Sequence, residues 1–269
     1  MLSFRKTQAQ TQTFTKGAFA TTHIVFGVLL KWNIRKKLFF VLLKVAAPYG
    51  RHSSLKWGPV ISNKWAWVIM ELPVLIVLYV MIFPDILLFS FPYLIMIGLF
   101  SFHYINRIFV FPFRIHTKGK TMPVIIMLSA IFFNIINGFS FGYYFIHFAN
   151  YTNDWLSDPR FMTGLILFFT GLYINWKADS ILINLRKPGE TDYKIPNGWL
   201  FNKVSCANLF GELIEWFGFA ILCWNLPALT FFIWTAANLI PRALAHHNWY
   251  KKRFIEYPLE RKAIIPYIL

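Results

Sequence analysis

Six polar side chains fall on two matched helical faces in the C-terminal part of the sequence. Asn208, Glu212 and Glu215 recur at i, i+4 and i+7, and Arg242, His246 and Tyr250 at i, i+4 and i+8. Either spacing puts its residues on one side of an α-helix. Only the short break Asn225-Leu226-Pro227 separates the two apolar runs, which makes the helices antiparallel neighbours. A salt-bridge seam accounts for two such residues; six predict a hydrated polar chamber. Three further groups belong with them. Asn175, Asp179 and Arg186 stand at i, i+4 and i+11, one stripe if the helix runs that far. His103-Tyr104-Ile105-Asn106-Arg107 ends another apolar run, with Tyr104 and Arg107 three apart on a shared face. Glu71 precedes Leu72-Pro73 inside a third. Ionisable groups within a bilayer are costly unless paired or hydrated, so each is a functional candidate.

The residue types divide the chamber in two. Arg107, Lys120, Arg186, Lys194 and Arg242 are cations able to hold phosphates. The acids and amides beside them suit sugar hydroxyls and a carboxamide. Glu71 belongs to a more apolar half rich in Trp and Phe. That combination suits a charged cofactor meeting a lipophilic substrate.

Apolar elements must position these groups. The 269 residues are 57% hydrophobic and 20% aromatic, with only 14% charged, too little polar residue to cover a soluble globule. A soluble enzyme, a disordered regulator and a disulfide scaffold are excluded, and an all-α, polytopic integral membrane protein is expected. A spanning helix needs about 20 mostly apolar residues. Segments 65–84, 91–111, 122–148, 161–183, 204–224 and 228–245 qualify. One further span is expected from parts of 17–30 and 38–47, for about seven in all around a cytoplasm-facing cavity. Residues 1–48 form an N-terminal segment with that first span, and 49–269 a catalytic domain.

Charge orients the spans. Arg51, Lys56, Lys64, Arg114, Lys118, Lys120, Arg186, Lys187, Lys194 and Lys203 lie in loops on the side of the basic C-terminal tail. The opposite loops hold Asp85, Asp154 and Asp158 with only Arg160. Positive loops face the cytoplasm, so the C-terminus and the chamber are expected there, in a bacterial inner membrane or an endoplasmic reticulum. The net charge of +16 resides in these loops, which argues against nucleic-acid binding. A Rossmann fingerprint and a Walker loop are absent from the sequence. His246 and His247 are adjacent, so on a helix they point about 100° apart, and no metal site is expected.

At these same residues the sequence resembles the steroid 5α-reductase family of membrane-embedded, NADPH-dependent reductases. The matching stretches include Glu71-Leu72-Pro73, His103-Tyr104 through Arg107, Asn175 through Asp179, and Leu185-Arg186-Lys187-Pro188-Gly189-Glu190. They continue with Tyr193-Lys194-Ile195-Pro196-Asn197-Gly198, Ala207-Asn208-Leu209-Phe210-Gly211-Glu212-Leu213-Ile214-Glu215-Trp216, and Arg242 through Tyr250. The similarity runs from about Tyr49 to Leu269. Phe111 stands where the animal enzymes have Tyr, Lys120 and Lys194 replace Arg, and Ala245 shortens a His run.

The resemblance implies a seven-helix enzyme that reduces the Δ4 double bond of a 3-oxo-Δ4-steroid with NADPH. It implies cofactor contacts at Tyr49, Arg107, Lys120, Asn175, Asp179, Arg186, Tyr193, Lys194, Asn208, Glu212, Arg242, His246 and Tyr250, and substrate-carbonyl contacts at Glu71 and Tyr104. The steroid would enter from lipid and the cofactor from the cytoplasm, with no obligate protein partner inferred. Reductases of other activated alkenes (an enoyl thioester, a polyprenol or a sterol ring bond) share the cofactor half and are the alternative. A transporter would bind no cofactor, and the cation set favours a dinucleotide phosphate over S-adenosylmethionine.

Overall fold

A computed structural model describes residues 57–115, 119–186, 190 and 192–269. Tyr49 and the expected first span lie outside the described residues. Those described run in the order β1 (Val60–Ser62), α1 (Asn63–Ile82), α2 (Phe91–Ile105), α3 (Phe111–Arg114), β2 (Thr121–Pro123), α4 (Val124–His147), α5 (Pro159–Asn184), α6 (Ala207–Cys223) and α7 (Leu226–Arg253). β1 and β2 pair antiparallel, Val60 opposite Pro123, and join the starts of α1 and α4 at one end of the bundle. The protein is a helical integral membrane protein. Among the described residues, five segments are long and apolar enough to cross a bilayer: Asn63–Leu88, Phe91–Arg114, Val124–His147, Pro159–Asn184 and Leu226–Arg253. Val80, Phe132 and Ile166 stand exposed on their outer faces, where lipid is the compatible solvent.

The expected span 204–224 becomes the shorter α6, of 17 residues. Its start is delayed because the backbone there pairs with the C-terminal tail instead. Ser205 N donates to Lys262 O at 2.8 Å and Cys206 N to Ala263 O at 3.1 Å. At its other end Trp224 turns left-handed (φ 46°), and the Asn225 side chain caps α7 by accepting from Ala228 N. This tight reversal sets α6 and α7 antiparallel, as the spacing predicts.

Glycines set how closely α5 and α6 approach. A Cβ on Gly171 would lie 2.2 Å from Glu215 N, and one on Gly211 would lie 2.4 Å from Asn175 N. Gly164 and Gly218 repeat the arrangement one heptad away, against Leu222 N at 2.4 Å and Phe168 N at 2.5 Å. Small residues let membrane helices meet backbone to backbone, because lipid supplies no hydrophobic drive between them. α1 and α4 use Gly138 likewise, with a Cβ there only 2.5 Å from Val74 O.

α2 does not end cleanly. Asn106–Val110 winds as a π-helix before α3. Pro112 lacks the N–H that would bond four residues back, and the wider turn absorbs that gap. The π turn contains Arg107. α5 begins at a different kind of stop. Asp158 caps it by accepting from Arg160 N at 2.8 Å, and from Arg160 Nε and Nη2 at 2.9 and 2.7 Å. The guanidinium contacts hold this half-buried carboxyl down at about 2.

Candidate active site

Helices α1, α2, α4, α5, α6 and α7 enclose a cavity of about 380 Å³, within the size range of pockets that bury a small organic molecule. Of the residues expected to form the site, Glu71, Tyr104, Arg107, Asp179, Asn208, Glu212, Arg242, His246 and Tyr250 line it. Glu71 comes from the N-terminal half of α1, Tyr104 and Arg107 from the end of α2 and the π turn after it, and the others from the C-terminal parts of α5 and α7 and the N-terminal part of α6. Because successive helices alternate direction, this is the end that also bears Arg114, Lys203 and Lys251-Lys252-Arg253.

The polar half is a connected chain. Arg107 Nη1 lies 3.9 Å from Asp179 Oδ2, with its guanidinium over Trp67 and Phe111 at 4.5 and 4.4 Å. Asp179 Oδ1 accepts from Asn208 Nδ2 at 3.0 Å, and the Asn208 backbone carbonyl accepts from Asn175 Nδ2 at 3.0 Å. Asn175 is thus one step behind the wall. Its glycine-packed register against α6 is what places it there.

The other half is aromatic. Phe133 stacks on Trp234 at 5.0 Å, and Trp216 meets Phe231 edge-on at 4.5 Å. Glu71 and Tyr104 face this side, each held by an amide from α4. Asn134 Nδ2 donates to Met70 O at 2.6 Å and to Glu71 Oε2 at 3.2 Å. Asn137 Nδ2 donates to the Tyr104 hydroxyl oxygen at 3.4 Å. A hydroxyl that accepts from an amide keeps its own O–H free to donate. Asn134 and Asn137 were not among the expected residues, although two amides at i, i+3 in an apolar run are a legible signal.

Two expectations need correction. Glu215 does not line the chamber with Asn208 and Glu212; it is fully buried, 2.7 Å from His103 Nδ1. It stays on the stripe of Asn208 and Glu212, but the His103 ring from α2 stands over its carboxyl and takes it out of the lining. Arg186 does not extend the Asn175–Asp179 stripe either, since α5 ends at Asn184. Its guanidinium instead lies over the Tyr193 ring at 5.4 Å, as does the Lys120 ammonium at 5.4 Å. Lys194 pairs with Glu190 at 2.5 Å. Arg186, Tyr193, Lys120 and Lys194 are therefore a second basic group outside the cavity lining, held against α7 where Tyr193 meets Trp249 at 4.9 Å.

The C-terminal tail fastens this second group. Arg261 donates to Pro196 O at 2.8 Å and Asn197 Oδ1 at 2.6 Å. Tyr257 stacks on Tyr250 at 5.4 Å, and burial raises its hydroxyl above the usual tyrosine range. Ser205 Oγ stands 2.6 Å from His247 Nδ1 and 2.5 Å from the Tyr257 hydroxyl. His247 is thereby turned away from His246, which faces the cavity. These contacts join distant segments, and sequence spacing has no signal for them.

The architecture defines a membrane-embedded helical enzyme whose cavity is ionic on one side and aromatic on the other. The sequence model of the family described as 3-oxo-5-alpha-steroid 4-dehydrogenase matches residues 120–269. A cotton (Gossypium hirsutum) protein named steroid 5-alpha-reductase DET2 is 42% identical over 90% of this chain and 96% of its own length. The bovine (Bos taurus) 3-oxo-5-alpha-steroid 4-dehydrogenase 1 is 42% identical over 86% of this chain and 91% of its own. The human protein of the same name is 41% identical over 82% and 85%. The chain belongs to the steroid 5α-reductase family, a family of oxidoreductases.

Proposed function

We propose that the protein reduces the Δ4 double bond of a 3-oxo-Δ4-steroid to the 5α-dihydro-3-oxosteroid, using NADPH. The observation supporting it most directly is that Glu71 and Tyr104 share one cavity with the Arg107–Asp179–Asn208 chain. The donor set fits the cofactor by its chemistry. Arg107 and Arg242 offer cations for phosphates, Asn208, Glu212 and His246 offer partners for ribose hydroxyls and a carboxamide, and Tyr250 adds a ring and a hydroxyl. Asn175 and Asp179 brace that wall. Lys120, Arg186, Tyr193 and Lys194 form the outer basic group on its approach, and Tyr49 completes the proposed set. When bound, NADPH supplies the hydride.

The chain's own residues do the rest. Hydride addition to the β-carbon of an enone pushes negative charge onto the carbonyl oxygen. Preorganised donors aimed at that oxygen in a dry site lower the barrier. Tyr104 supplies its O–H, its acceptor side being occupied by Asn137. Glu71, fixed through Asn134, supports it as a protonated carboxyl. The aromatic wall of Phe133, Trp216, Phe231 and Trp234 excludes water and accepts an apolar polycycle. We place the C-terminus and the cofactor approach on the cytoplasmic side, supported by the basic residues at that end. Residues 49–269 are the proposed catalytic unit.

The test is direct. Purified, detergent-solubilised protein is incubated with NADPH and progesterone, and the product is identified. The 5α-dihydro steroid with matching NADPH oxidation is expected. NADPH oxidation only with an enoyl thioester, a polyprenol or a sterol ring alkene would move the reading to that substrate.

A further inference from the structure

Reduction of an enone needs a proton at the carbon next to the carbonyl, and neither Glu71 nor Tyr104 is required to give it. His103 is placed to do so. It follows the same turn of α2 as Tyr104, their rings 5.4 Å apart, and both line the cavity. An enone whose oxygen meets Tyr104 presents its α-carbon only two bonds from that oxygen, within the neighbourhood of the His103 ring.

Glu215 gives the imidazole a defined state. Its Oε1 lies 2.7 Å from His103 Nδ1, and an ionised carboxyl there can only accept, which puts the ring hydrogen on Nδ1. The glutamate is fully buried and His103 is 5% exposed. Trp216 meets the ring edge-on at 4.5 Å. No described residue hydrogen-bonds Nε2. Glu215 Oε2 is buried without a hydrogen-bond partner. An unsatisfied buried carboxylate oxygen is costly, and a merely structural partner for Nδ1–H would be better served by an amide. A carboxyl on Nδ1 orients the ring and leaves Nε2 facing away from it, as acids do in histidine dyads. The same cavity also sets Glu71, Glu212 and Arg107 around the ring.

We propose that His103, oriented by Glu215, returns the proton to the α-carbon of the reduced enone. This rests on the functional reading above. After hydride reaches the β-carbon, the enolate π pair takes the proton from imidazolium Nε2–H. The α C–H bond forms as the N–H bond breaks, the oxygen regains its carbonyl, and neutral imidazole recovers a proton from water. His103 is the catalytic residue and Glu215 a positioning residue.

The experiment compares wild type with His103→Gln and Glu215→Gln, both of which retain polar groups and volume. With NADPH and progesterone, His103→Gln lowers kcat about 100-fold and Glu215→Gln about tenfold, with both KM values nearly unchanged. In both variants the solvent deuterium isotope effect rises and the isotope effect of deuterated NADPH falls, because proton return becomes limiting. In cofactor-free protein with 15N-labelled histidine, the strongly deshielded Nδ1 proton vanishes in His103→Gln and moves upfield in Glu215→Gln. An unchanged kcat, or a slower enzyme whose hydride isotope effect rises instead, overturns the proton assignment. A wild type that oxidises NADPH with no enone sinks the functional reading and the proton step together, while the resonance still decides the Glu215–His103 link.

Discussion

The Asn208 amide donates to Asp179 across the α5–α6 seam at 3.0 Å, while its backbone carbonyl accepts from Asn175. One residue therefore ties two positions on the neighbouring helix, and a third, Arg107 on the π turn, faces the same carboxylate. This contact is possible because Gly171 and Gly211 let the two backbones touch. The cofactor wall and the helix seam are one piece of construction.

Enlarging the seam should spoil the site from a distance. Gly171→Ala puts a methyl 2.2 Å from Glu215 N, where only backbone can yield. Overpacking of this kind costs about 1–3 kcal/mol or more. A lower melting temperature is expected together with weakened NADPH binding by calorimetry. A stable variant with normal affinity would show that the register is not needed.

Removing Asp179 should act mainly on the cofactor. Asp179→Ala takes the carboxylate from beside Arg107 and the acceptor from Asn208. Loss of a buried partner destabilises by about 3–5 kcal/mol, less here because Arg107 retains two aromatic faces. NADPH affinity should fall about tenfold or more, with steroid binding changed little.

Arg242 and Arg186 separate the inner and outer basic groups. A charge-assisted hydrogen bond is worth about 1.5–3 kcal/mol, so Arg242→Ala should weaken NADPH by about ten- to a hundredfold. Arg186→Ala removes a cation outside the lining and should act more weakly, with its effect shrinking as salt is raised. Unchanged cofactor affinity in both variants would remove them from phosphate recognition.

The carbonyl donors are tested as a pair. Loss of one such donor typically costs about 10²–10³ in kcat. Tyr104→Phe and Glu71→Ala should each show this, while Glu71→Gln keeps a donor and should lose less. Folding is checked by the melting temperature of the same samples.

Asp158 supplies a control on the opposite face. Its carboxyl lies at about 2 in the folded protein against 3.8 normally, so its contribution to stability is present above the normal value. It is lost as the pH falls through the folded value. Asp158→Ala should melt below wild type at pH 7, the two curves converging at acid pH, with NADPH affinity unchanged.

Much of the outline was legible in the order of residues. Apolar run length and the siting of basic loops located α1, α2, α4, α5 and α7, and intramembrane polarity singled out Glu71, Tyr104, Arg107, Asp179, Asn208, Glu212, Arg242, His246 and Tyr250, which share the cavity lining. These follow from periodicity and transfer energy, which act along a single helix. Other features depend on which helices meet and in what register. Glu215 shares the spacing of Asn208 and Glu212, yet it turns to His103 on α2; Arg186 leaves the Asn175 stripe because α5 stops; Asn134 and Asn137 acquire their partners only when Gly138 seats α4 on α1. The tail from Tyr257 to Ala263 delays α6 through backbone hydrogen bonds to residues far away in the chain. Sequence alone determined which side chains must be buried in the bilayer. Tertiary packing decided which of them touch, because hydrogen bonds and ion pairs act over a few ångströms and the glycine contacts set those distances.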